Sequence, residues 1–350
     1  MKVITCASYF GTGSSALTDL FSEYSNVHPN NEFEFRFAHD PNGLMDLEYH
    51  LVENFNREVS GYGLKQFYKF CKYNHGTFFN KKYEKYFHGK YIEYSTEYID
   101  SLTDFKYKGF WHYDLASKGK FLYYFLGIFN KINIKLKAKR ASVLPREITY
   151  CANPGEEKFI KETQKYTSNL LSVLNNDNKP YIVVDQLVPS TNTVKAMRYF
   201  KDDMVVFIVD RDPRDVYLLC KTIWRWDHIF PHDSVESWCK WFRYVRESRK
   251  GKQNDSRIMY LKFEDLIYHY EDSIKKIEQF TGLDPKDHVK QFSRLNPKRS
   301  FYNTQIFKRN KRFEKDIKVI EQMLPEYLYD FDSVKEEDVV GLDTNNTGTF

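Results

Sequence analysis

No stretch of this 350-residue chain reaches the ~18 consecutive apolar residues that a membrane-spanning helix needs. The opening residues, MKVITCASYFGTG, lack the apolar core and small-residue cleavage site of a secretory signal, so cytoplasmic residence is expected. The five cysteines (Cys6, Cys71, Cys151, Cys220, Cys239) are odd in number and form no CxxC pair. That argues for reduced thiols in a reducing compartment. The excess of one sign of charge over the other is also small. A net +5 is too mild for a nucleic-acid partner, but it suits an anionic small ligand or an acidic glycan. Internal repeats are absent.

Hydrophobic residues make up 41% of the chain and charged residues 29%, which supports a packed core. The aromatic share is high, with 27 Tyr and 29 Phe. Core packing is the first use for so many rings, and a sugar-binding cleft is the second. Short apolar runs at Val3–Ser8, Tyr181–Val184, Met204–Val209 and Ile258–Leu261 read as buried parallel strands. Helical patterns separate them, at about Glu157–Leu174, Asn192–Phe200, Arg214–Trp226, Val235–Lys250, Ser273–Phe280 and Lys311–Met323. Alternating strand and helix predict an α/β fold with a central, mostly parallel sheet covered on both faces. Residues 32–146 break this rhythm and read as an inserted aromatic and basic lid region on the acceptor side. Within them, Lys118–Arg140 carries seven basic residues and no acid around FLYYFLGIF. An amphipathic helix packed on the domain is the first expectation there. An acceptor-binding lid and a peripheral contact with an anionic membrane surface are the alternatives. The acidic, polar segment 331–350 reads as a frayed tail after a single domain spanning 1–330.

Between the first strand and the first helical pattern lies Tyr9-Phe10-Gly11-Thr12-Gly13-Ser14-Ser15. Glycines let backbone approach an anion, and the first N–H groups of the helix point at it with the helix dipole behind them. The GK[ST] ending of an ATP-binding P-loop is missing, which disfavours a kinase or ATPase. A second turn follows a second strand in Val205–Cys220, VVFIVDRDPRDVYLLC. Its two arginines, Arg211 and Arg214, sit at the carboxyl end of a buried strand, where open α/β sheets bind ligands.

These segments resemble motifs of the sulfotransferases that use 3′-phosphoadenosine 5′-phosphosulfate (PAPS), in particular bacterial carbohydrate sulfotransferases. The first loop is similar to their 5′-phosphosulfate loop, and RDPRDV at Arg211–Val216 to their 3′-phosphate motif. Arg257–Leu266 (RIMYLKFEDL), Ile277–Leu283 (IEQFTGL) and Ile306–Leu324 resemble their later strand, helix end and C-terminal basic loop, in the same order. The resemblance covers roughly residues 1–34 and 181–329. It implies a P-loop-NTPase-like three-layer sandwich, PAPS as co-substrate, and transfer that needs no metal. By it, Gly11, Thr12, Gly13, Ser14 and Ser15 hold the 5′ end of the donor and Arg211 pairs with the 3′-phosphate through its forked donors. Arg214 is expected to be outward or structural, and Asp215 to cap or orient the turn. Two positions depart from the pattern. Gly11 stands where the family carries Lys or Arg, and Leu219 where it carries Ser. Lys308 and Arg309, with Lys311 and Arg312, are candidates to fold over and replace the missing cation.

Sulfuryl transfer is an in-line displacement that needs a base for the acceptor hydroxyl and stabilisation of the departing phosphate oxygen. Asp185, ending the strand YIVV, is the first candidate base, with Gln186 beside it to orient the acceptor. His39 and Asp40 form the second set, with Glu34 and Arg36 on the strand suggested by alternating Phe33, Phe35 and Phe37. His228 and His232 flank a proline and do not read as a metal pair. Trp224, Trp226, Trp238 and Trp241 read as core before sugar platforms. The expected activity is sulfation of a saccharide hydroxyl. A nucleotide-dependent kinase of the same broad fold, and a degenerate nucleotide- or glycan-binding module, are the alternatives.

Overall fold

Runs of β-branched residues with no polar interruption can only be satisfied between two covered faces, and they set the sheet. The computed structural model describes residues 1–341 apart from 78–79, 81, 137–143, 145, 225–229, 232 and 248–253. Its described strands are β1 (Lys2–Ser8), β2 (Val27–Glu34), β3 (Phe105–Gly109), β4 (Glu147–Cys151), β5 (Tyr181–Asp185), β6 (Asp203–Asp210) and β7 (Ile258–Lys262). Five of them form one parallel sheet in the order β2-β5-β1-β6-β7, and β3 pairs with β4 in a separate antiparallel ribbon. The chain divides into two units, Met1–Asp40 with Thr167–Phe350, and Pro41–Tyr166.

In the first unit, register places Ile4 beside Val183 and Val205, and Cys6 beside Asp185 and Phe207. Alternate residues share a face. That face is sealed by Ala16, Leu17, Leu20 and Phe21 of the Ser14–Phe21 helix. Each large side chain so buried contributes roughly 1.5–3 kcal/mol. β1 sits in the middle of the sheet. The chain leaves it towards β2 on one side and later runs from β6 to β7 on the other. Strand order therefore reverses beside β1, which opens a crevice at the carboxyl ends of β1, β5 and β6.

The sheet gains an edge strand that no apolar run announces. β2, VHPNNEFE, carries Pro29 and two asparagines, residues tolerated at an edge where one side makes no ladder bonds. The strand suggested by Phe33, Phe35 and Phe37 ends at Glu34; Phe35 and Phe37 are buried in the turn beyond. The helix expected at Arg214–Trp226 is α-helical only over Pro213–Leu218 and widens into a π-turn at Leu219–Trp224. The segment expected to fray after residue 330 instead buries Phe331, Val334 and Val339 in the core, because those three apolar residues recur at spacings that face it. Residues 342–350, Trp226, His228 and His232 lie outside the described residues.

In the second unit, the long helix Arg57–His75 packs on Tyr91–Leu102. Aromatic rings fill the joint: Tyr98 stacks on Tyr166 at 4.7 Å, and Phe67 meets both edge-on. Their hydroxyls are satisfied inside, with Tyr98 against Thr163 at 2.6 Å and Tyr166 against Ser95 at 2.8 Å. The expectation of a helix packed over Lys118–Arg140 needs correction. The described helix is Lys120–Lys135, and none of its residues is buried. It leans on its surroundings through half-buried Tyr123, Leu126, Asn130 and Asn133, while its phenylalanines face outward.

Candidate active site

A cleft of about 220 Å³ opens at the crevice, lined by Ser8, Phe10, Gly11, Gly13, Ser14, Ser15, Glu34, Arg36, Asp185, Gln186 and Arg211. The loop after β1 takes left-handed turns at Phe10 (φ 66°), Gly11 (φ 66°) and Gly13 (φ 107°). At Gly13 a side chain is excluded twice over, because a Cβ there would also lie 2.7 Å from the Phe263 ring. Thr12 is fully buried and serves the loop itself. Its hydroxyl donates to the Val209 carbonyl at 2.7 Å and accepts from the Tyr9 amide at 3.1 Å, tying the loop to the end of β6. The Ser14–Phe21 helix begins without a side-chain cap, which leaves its first amides to an anion or to water.

Beyond β6, Asp212 and Pro213 start the next helix in the ordinary way: the Asp212 carboxylate accepts from the Arg214 amide at 2.8 Å and proline takes the first turn. The two arginines then part company. Arg214 grips Asp212 at 2.8 Å and Glu321 at 3.0 Å and lies over the Phe307 ring at 4.0 Å, a structural role. Arg211 is 1% exposed yet lines the cleft. Its guanidinium donates to the Asn303 carbonyl and sits 4.4 Å from the Phe263 ring centroid, while its Nε has no hydrogen-bond partner. Such an unpaired buried donor is costly unless a ligand meets it.

Arg211 is held in a nest of buried acids. Asp215 accepts from the amides of Gln305 and Ile306 at 2.8 and 2.7 Å, so it caps the Ile306–Arg309 turn as well as facing Arg211. Glu264, from the FED turn, accepts from the Asp212 amide at 2.8 Å. Burial, then the charge of Asp212, pushes Asp215 up to about 7 and Glu264 to about 8. The turn expected to be capped by Asp215 is capped by Asp212, and Asp215 caps a turn about ninety residues further on.

Asp185 ends β5 and is 7% exposed. Ser14 donates to its Oδ2 at 3.2 Å, and its Oδ1 is buried without a partner. Burial, reinforced by the Glu34 charge, raises it to about 7. Gln186 adopts a left-handed backbone (φ 60°) and donates to the Ser8 hydroxyl at 2.8 Å. From the β2 end the cleft receives Glu34 and Arg36; His39 and Asp40 do not line it. The chain turns there, with both amides bonded back to the Arg36 carbonyl at 3.1 and 3.0 Å. Asp40 holds the Arg36 guanidinium at 2.8 Å, and burial with the Arg36 charge pushes His39 down to about 3. Arg36 also lies 5.9 Å from the Phe10 ring centroid, beside the glycine loop. Lys308 and Arg309 do not line the cleft: Arg309 donates to the Tyr302 and Thr304 carbonyls at 2.5 and 2.6 Å, and Lys308 lies 5.9 Å from the Phe331 ring. Trp238 is buried in the core, as expected. No group of three His, Cys, Asp or Glu among the described residues is placed to hold a metal ion.

A parallel α/β sheet with an uncapped glycine loop and a buried arginine at adjacent strand ends makes a crevice suited to an anion. Residues 198–323, about a third of the chain, match the family model of the sulfotransferase domain. Comparison with curated proteins finds no significant match. Among solved structures the chain is similar to sulfotransferase STF9 from Mycobacterium avium, at 11% identity and TM-score 0.37, covering 93% of this chain and 76% of that one. It is also similar to sulfotransferase STF1 from Mycobacterium tuberculosis H37Rv, at 12% identity and TM-score 0.33, covering 83% and 70%. At those scores neither likeness carries weight.

Proposed function

We propose that this chain transfers a sulfuryl group from PAPS to a hydroxyl of a saccharide. The observation that carries the reading is Arg211, a buried guanidinium with an unpartnered Nε in the same cleft as the glycine loop. In this reading Arg211 takes the 3′-phosphate, and the amides of Gly11–Ser15 take the 5′-phosphosulfate. Arg36 supplies the cation that the family carries in place of Gly11, stabilising the phosphate oxygen as it leaves. The acceptor oxygen attacks sulfur, the sulfur–oxygen bond to the phosphate breaks, and Asp185 takes the acceptor proton. A carboxyl near 7 suits that step at neutral pH. Polar groups at the rim, Glu34 and Gln186, are placed to orient a hydroxylated acceptor. The saccharide rests on the family resemblance and the wealth of aromatic residues.

Thermal-shift titration tests the donor site. A ligand bound only by the folded chain at ~100-fold above its Kd stabilises it by roughly 2.7 kcal/mol. The product nucleotide 3′,5′-ADP should give that shift, ADP and ATP with Mg²⁺ should give little, and Arg211→Ala should abolish it. A larger shift with ATP and Mg²⁺ would instead place the chain among kinases.

A further inference from the structure

We propose that the Lys120–Lys135 helix is an in-plane anchor that docks on an anionic lipid bilayer. Phe121, Phe125, Ile128, Phe129, Ile132 and Leu136 recur at helical spacing and share one face. All six are exposed, Phe121 by 84% and Leu136 by 74%. Three of the rings line up along the helix, Phe121 to Phe125 at 6.1 Å and Phe125 to Phe129 at 6.4 Å. A continuous apolar stripe of this kind on a surface marks an interaction site.

Charge selects the occupant. Lys120, Lys131 and Lys135 follow one another along one flank of the stripe, and residues 118–140 contain no acid. Apposing two copies through this face would bring like charges together, whereas an anionic headgroup layer accepts the lysines while acyl chains accept the rings. No described helix is long and apolar enough to cross a membrane, so the helix lies in the surface plane. The Gly119 backbone (φ 110°) sets the helix off from the preceding turn, with nothing near its Cβ position.

Sedimentation of the 350-residue chain with phosphatidylcholine vesicles, with and without phosphatidylserine, tests this independently of any transferase assay. Binding should require phosphatidylserine and should fall steeply with salt. Lys131→Ala or Lys135→Ala should each weaken it about fivefold. Phe125→Ser with Phe129→Ser should weaken it at least about tenfold. Equal binding to neutral vesicles, no binding, or a dimer in light scattering that the serine variant dissolves would each overturn the proposal. So would a clear loss of thermal stability in that variant, since it would mean the stripe is packed against protein.

Discussion

The two units violate the usual partition of residues in opposite directions. The first hides charge: Arg211, Asp212, Asp215 and Glu264 are all buried around one turn, and Asp185 is nearly so. The second displays apolar surface, a helix with no buried residue and four phenylalanines or isoleucines at or above half exposure on one face. Each arrangement is unfavourable for an isolated chain. The lesson lies in what each unit leaves unanswered. In the first unit most of that charge is answered internally, Asp212 by Arg214 and Asp215 and Glu264 by backbone amides, which leaves the Arg211 Nε as the donor a ligand would meet in the proposed reading; in the second the apolar stripe is what is left over.

Asp185→Asn should separate cost from use most sharply. Turnover should fall at least ~100-fold with 3′,5′-ADP affinity nearly unchanged, as read by single-turnover kinetics and thermal shift. In the wild type the rate should rise with pH through about 7, because the base works only when deprotonated. The folded carboxyl holds its proton more tightly than the ordinary value of 3.8, so native stability should decline as pH climbs from about 4 to about 7. Asparagine has no charge to bury, and the variant should be the more stable protein at pH 8, by about 1–3 kcal/mol in denaturant titration. Loss of both turnover and stability at that pH would mean the carboxylate is structural. Arg36→Ala comes next, with turnover reduced about tenfold and partly restored in Arg36→Lys. The smallest effect belongs to the second unit: Phe125→Ser should change stability by less than ~0.5 kcal/mol in the same titration, because the ring is 56% exposed and meets only the exposed rings of Phe121 and Phe129.

How much of this could be read from the chain follows from distance along it. β1, β5 and β6 are legible because strands inside the sheet are apolar nearly throughout, and β7, although an edge, carries the apolar run Ile258–Leu261. β2 is not, since an edge strand with Pro29 has no such obligation. The glycine loop and Arg211 stand out as local patterns, and so did Asp185 at the end of its strand. Asp215 capping residues 305–307 does not, because its partners lie about ninety residues away. Arg36 was visible as a residue, but the bulge between Asn30 and Glu34 decides where it goes. For Lys120–Lys135 the helix itself was readable, and whether anything covers its face was not.

Phe263 touches both sides of the cleft. The same ring fills the space where Gly13 lacks a side chain and receives the Arg211 guanidinium. It thereby acts as a gauge block, fixing how far apart the glycine loop and Arg211 stand although they lie some two hundred residues apart in the chain. If the proposed donor occupies this cleft, changing the thickness of that spacer would refit it to a shorter or longer ligand without editing either loop.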